Sequence, residues 1–132
     1  MGYWDYRARL AFIQTIREAC QHERVFGRIY QALAARADED SMRDLWLKLA
    51  ETAQSHAEHD AARLHQMGVK PVPDVETWGE QLWRKILVRS GPSSALAWIE
   101  RTRQHDVQRL LSFALMASEA RTQAVTNTKP LL

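Results

Sequence analysis

Glu23, His56, Asp60, Arg103 and Asp106 are the residues whose types and spacing bear on chemistry, because each interrupts an apolar run at helical spacing. Glu23 falls among Phe12, Ile16, Ala19, Phe26, Tyr30 and Leu33. His56 and Asp60, four apart, fall in a run from Met42 to Met67, and Arg103 and Asp106 fall between Ile99 and Leu110. A charge on the buried face of a helix is costly unless it meets an opposite charge, a metal or water. Two chemistries are therefore open: a metal site of His and carboxylate ligands, or a buried network of ion pairs. His59, three residues after His56, shares its helix face and extends the metal option. Beside Glu58 it reads more simply as a solvated surface side chain.

The elements that must position these groups are helices. Spacings of three and four predict a first helix over residues 5–37 and a second ending near Met67, before Gly68. The acidic break Asp38-Glu39-Asp40-Ser41 separates them, with Ser41 or Asp40 expected as N-cap and Asp44 in the first turn. A short break between two long periodic segments makes an antiparallel hairpin. In a hairpin turning near residue 39, Glu23 and His56 lie 16 and 17 residues from the turn, so they sit at one height. Pro71 and Pro73 mark a non-helical crossover over 68–74. A third, shorter helix is expected over 75–89, with Trp78, Leu82, Trp83 and Ile86 on one side. A fourth follows over 93–120, and 121–132 reads as a flexible tail after a single domain, 1–120.

Composition narrows the function. With 132 residues the chain suits one core, and 18 basic against 16 acidic residues give a net charge of only +2. That balance argues against a nucleic-acid binder that neutralises phosphates. Cys20 is the sole cysteine, which excludes an intrachain disulfide and a cysteine-based zinc site. Next to the first apolar stripe, it is expected to be a buried, inert thiol. His22, His65 and His105 fall off the stripes and are expected at the surface. Trp46, Trp78, Trp83 and Trp98 are expected to fill the core, whereas Tyr3, Trp4 and Tyr6 precede the first stripe and are candidates for an interface. No apolar run approaches the roughly 20 residues a bilayer demands, and no signal peptide or myristoylation pattern opens the chain. A cytoplasmic location is the expectation. No phosphate loop, nucleophile elbow or hydrolase carboxylate pair is found.

The stretches Tyr30–Ala37 and Leu45–His56 resemble the first helical hairpin of rubrerythrin-type ferritin-like proteins. The stretches Trp83–Gly91 and Ala97–Arg101 are similar to the linker and third bundle helix of rubrerythrin-like domains fused to iron and manganese transporters. The resemblance spans roughly residues 10–115. It implies an all-α, ferritin-like antiparallel bundle whose fourth long helix is missing or reduced to a stub around Glu119. It also implies iron or manganese ligands, with Glu23 and His56 at matching positions. Other positions depart: Ala53 stands where the family's second helix has the Glu of Glu-x-x-His, Arg103 falls at the next Glu, and Leu110 at a Tyr. A di-iron carboxylate site needs about four carboxylates and two His.

The expectation is thus a metal site converted into a polar network of Glu23, His56, Arg103 and Asp106, with no cofactor. His59 and Asp60 are the weaker metal candidates. Such a chain reads as a non-catalytic scaffold or partner-binding subunit. Its partner would be a second copy or a helix of a larger complex, filling the groove left by the missing helix. The alternative is an iron-handling oxidase whose ligands are completed between chains.

Overall fold

The computed structural model describes the backbone of residues 3–70 and 72–128, and the side chains of that range other than 3–5, 120 and 124–128. The interface candidates Tyr3 and Trp4 therefore lie outside the described side chains, and Tyr6 is exposed. Four helices account for most of the chain: α1 (Tyr3–Arg36), α2 (Asp40–Gln66), α3 (Trp78–Ser90) and α4 (Pro92–Thr128). The described residues contain no strand.

Helix α1 is the axis of the molecule. Its stripe is buried as the spacing predicts, with Ile16, Ala19, Phe26, Tyr30 and Leu33 all sealed from solvent. Helix α2 folds back along one side of α1 and α4 runs down the other, while α2 and α4 do not pack on each other. This geometry corrects the expected stripe of α2. Ala50, Ala53 and Ala57 form its buried edge, whereas Met42 and Leu45 are exposed. Small side chains let the helices approach closely, so the Cys20 thiol donates to the Ala57 carbonyl at 3.4 Å. The N-cap of α2 is Glu39, with no side-chain hydrogen bond, rather than Asp40 or Ser41. The Asp40 carboxylate is instead held by Arg43 at 2.8 Å.

The crossover begins at Gly68, whose φ of +76° is the left-handed conformation that glycine tolerates best. Three arginines of α1 hold this connection. Arg9 donates to the Met67 carbonyl, Arg24 to that of Val72, and Arg28 to Asp74. The chain is thereby led back up α1 to the start of α3, which opens with a capping box between Thr77 and Glu80.

Helix α3 leaves Trp78 and Trp83 outside the core that they were expected to fill. Trp78 is 79% exposed and Leu82, Trp83 and Ile86 are also exposed, while Leu87 and Val88 are buried. Helix α3 packs on α1 and α4 only, and nothing among the described residues covers its outer side. Trp46 and Trp98 remain with the core, Trp46 stacked on Tyr30 and Trp98 edge-on to Phe26. Helix α4 continues to Thr128, past the expected end at residue 120, so much of the segment read as a tail is helical. Residues 129–132 lie outside the described range. No helix of the described residues is long and apolar enough to cross a membrane.

Candidate functional site

The polar residues of the apolar stripes meet mainly at the contact between α1 and α4. Because the helices are antiparallel, partners step up α4 as they step down α1. Glu23 meets Arg103, His22 meets Asp106 and Glu18 meets Arg109. Aromatic contacts close both ends, Phe26 with Trp98 above and Phe12 with Phe113 below.

Arg103 forks onto Glu23: its Nε donates to Oε1 at 3.2 Å and its Nη2 to Oε2 at 3.1 Å. The guanidinium carbon also lies 5.1 Å from the Phe26 ring centroid, within cation–π range. Burial opposes the charge on Arg103, but the hydrogen bonds and negative charge of Glu23, with a smaller contribution from Tyr30, together outweigh it and raise the pKa. From α2, His56 Nδ1 stands 3.5 Å from Oε1 of the same carboxylate, within reach of an ion pair when the imidazole is protonated. Glu23, His56 and Arg103 therefore form one layer. Both oxygens of Glu23 are engaged by one cation, so a metal approaching this carboxylate would compete with the fork.

Asp106 does not join that layer. It sits one turn further along α4, and its Oδ2 lies 2.8 Å from Nδ1 of His22. His22, expected at the surface, is half-buried and stacks on Phe26 with ring centroids 6.3 Å apart. The hydrogen bond to Asp106 raises its pKa, against the opposing effect of burial. Its spacing of four from Phe26 was the available signal for this role. Glu18 is a second partner not singled out in the sequence, and Arg109 lowers its pKa.

The weaker metal candidates stay apart. His59 is exposed, as are His65, His105 and Glu119. Asp60 is half-buried, and burial raises its pKa. No hydrogen bond or ion pair reaches Asp60 from the described residues. Ala53 is fully buried and faces Gly27 across the α1–α2 contact, and it supplies no ligand. Among the described residues no three His, Cys, Asp or Glu side chains converge as a metal site would require. The donor set around Glu23 thus does not fit the two-metal centre that the resemblance implies.

Among the described residues, no imidazole is placed to activate Cys20. The Cys20 thiol faces α2, whereas His22 faces α4, so the two make no thiol–imidazole pair. Burial pushes the thiol pKa up, which disfavours the reactive thiolate. Two concavities border the polar layer. A cavity of about 290 Å³ between α1 and α2 includes Arg24, Gly27 and Asp74 in its lining. A more open groove of about 730 Å³ runs along α4 over Tyr30 and Arg103. In comparisons with known proteins, no family model, no curated protein and no solved structure matches the chain.

Proposed function

We propose that the protein is a non-catalytic, ferritin-like scaffold or partner-binding subunit, in which a guanidinium takes the place of the metal cations. The observation that carries this reading is the two-point bond from Arg103 to Glu23, with His56 on the same carboxylate and Ala53 on the facing helix. A di-iron centre works through several carboxylates that hold two cations and leave room for oxygen chemistry. Here one carboxylate is matched by one permanent organic cation. Arg103 keeps its proton at any physiological pH, so the pairing is fixed and has no redox chemistry.

A scaffold needs a surface to offer, and exposed apolar side chains on α2, α3 and α4 supply it. Leu45, Trp78, Leu82, Val107, Leu111 and Leu115 are all exposed. Surface of this kind drives association.

Elemental analysis of protein expressed with iron and with manganese tests the reading. The expected result is no stoichiometric metal in either case, with an unchanged melting temperature after chelation. Two tightly held ions per chain, lost in Glu23→Ala or His56→Ala, would overturn it and restore the oxidase alternative.

A further inference from the structure

We infer that the outer face of α3 docks on an anionic lipid surface, with the helix lying in the plane of the headgroups. The inference rests on the scaffold reading only in taking α3 as part of the surface that the scaffold offers.

The sequence of α3 divides its side chains between two faces. Leu87 and Val88 are buried against the bundle. Trp78, Leu82 and Ile86, each four residues from the next, stand exposed on the other side and form one stripe. At the helical rise per residue the stripe is about 12 Å long. Trp83 borders it toward α4, where its ring meets Trp98 with centroids 5.9 Å apart. Val75, exposed just ahead of the helix, extends the apolar surface.

Charge beside the stripe has one sign. The carboxylates that lead into α3 are all engaged within the chain, Asp74 by Arg28, Glu76 by a two-point bond from Arg84, and Glu80 by Thr77 and Gln21. Lys85 and Arg89, exposed and one turn apart, flank the stripe on the side of α1. With Arg36 of α1 they line a recess of about 480 Å³ that also takes in Leu82 and Ile86. No carboxylate lines this recess, and among the described residues none pairs with Arg36, Lys85 or Arg89. Asp38 and Glu39 belong to a separate recess at the C-terminal end of α3. On the other flank, Arg101 and His105 follow Trp98 by three and seven residues, so they share the side of α4 that meets α3, and both are exposed.

This distribution selects the occupant. An apolar stripe alone suits any hydrophobic partner, but cations on both sides of it require a negative one. Axes of packed helices stand about 8–10 Å apart, so the cations of α1 and those of α4 are separated by about two helix widths. A single docked acidic helix covers one flank of α3, whereas a lipid surface meets both. Tryptophan at headgroup depth, with Lys and Arg stems laid along the apolar surface and their charges at the phosphates, is how an interfacial helix lies on a bilayer. The recess between Arg36, Lys85 and Arg89 then receives a headgroup phosphate.

Co-sedimentation of the full chain with vesicles tests this, using phosphatidylcholine alone and phosphatidylcholine mixed with phosphatidylglycerol. Binding is expected on the mixed vesicles only, and it should weaken as salt rises. Lys85→Gln together with Arg89→Gln is expected to weaken it about 25-fold, taking each cation near the surface as worth about fivefold. Trp78→Ser should weaken binding at every salt concentration and reduce the blue shift of tryptophan emission that accompanies it. Leu111→Ser, on another flank of α4, should leave binding intact. Circular dichroism should be the same in all variants, because every altered side chain is exposed. No binding to the mixed vesicles at low salt would overturn the inference, as would binding indifferent to the paired substitutions at Lys85 and Arg89. Binding of polyglutamate in place of vesicles would assign the cations to an acidic protein and overturn it. Displacement of vesicles by inorganic phosphate at constant ionic strength would assign the recess to a free anion and overturn it as well. Metal content decides the scaffold reading separately, so either idea can fail without the other.

Discussion

Arg103 and Glu23, eighty residues apart in sequence, are joined by two parallel hydrogen bonds that fasten the last helix to the first. Glu23 lies deep, with 11% of its side chain exposed, whereas Arg103 keeps 37% in contact with water. Arg103→Ala would leave a buried carboxylate without its cation. A fully buried pair broken in this way costs 3–5 kcal/mol; with one partner partly hydrated, the expected loss is about 2–3 kcal/mol. Arg103→Lys should recover only part of it, because an ammonium does not fork. Urea unfolding measures both variants. A loss below about 0.5 kcal/mol for Arg103→Ala, the size of an ordinary surface change, would show that the pair does not hold α4 in place.

The layer was legible in the sequence because two independent periodicities pointed at it. The stripe of α1 located Glu23, and the turn at residue 39 set His56 at the same height. Arg103 followed from the stripe of α4. Asp106 was less legible, since three residues along a helix turn a side chain by most of a revolution, enough to bring it to His22 instead of Glu23. Trp78 and Trp83 of α3 were misplaced in the core for a different reason. Trp78, Leu82 and Ile86 form a sound apolar stripe, but hydropathy reports what a helix has to offer, not which side is covered within one chain. The crossover was seen as non-helical, yet its fastening by Arg9, Arg24 and Arg28 depends on pairings that no local pattern encodes.

The pairing of His22 with Asp106 predicts a stability that depends on pH. The hydrogen bond to Asp106 sets the folded pKa of His22 above the ordinary value of 6.5, despite the opposing effect of burial. A folded pKa above the unfolded one means that this contribution is fully present below 6.5 and is lost as pH rises through the folded pKa. His22→Gln should remove that part of the dependence. Titration of the His22 ring protons by NMR gives the midpoint directly, and Asp106→Asn should bring it down. A midpoint at or below 6.5 in the unaltered protein would contradict the geometry.

Cys20 should react only when the chain opens. Its side chain is fully buried, its thiol donates to the Ala57 carbonyl, and burial raises its pKa. Labelling with an aromatic disulfide reagent is expected to proceed at the opening rate of the α1–α2 contact, independent of reagent concentration once labelling of the open form is fast. It should become immediate in denaturant. Rapid stoichiometric labelling of the native protein would mean that the α1–α2 seam is looser than the 3.4 Å contact describes.

Glu80 performs two tasks at the start of α3, and the two can be separated. Its carboxylate accepts from the Thr77 backbone N–H while the Thr77 hydroxyl accepts from the Glu80 N–H, completing the capping box. It also accepts from Gln21 Nε2 at 3.1 Å, which ties α3 to α1. Thr77→Ala removes one cap bond and is expected to cost about 1 kcal/mol. Glu80→Ala removes the other cap bond and the tie to α1, so it should cost more than Thr77→Ala. Gln21→Ala isolates the tie. Burial raises the Glu80 pKa, but the bonds from Thr77 and Gln21 together outweigh it and leave the pKa below 4.5. A depressed folded pKa makes this contribution present above 4.5 and lost as pH falls through the folded value. The gap in stability between the Glu80→Ala variant and the unaltered chain should therefore narrow in acid. An equal gap at pH 7 and at pH 3 would show that the carboxylate charge is not what holds α3 to the bundle.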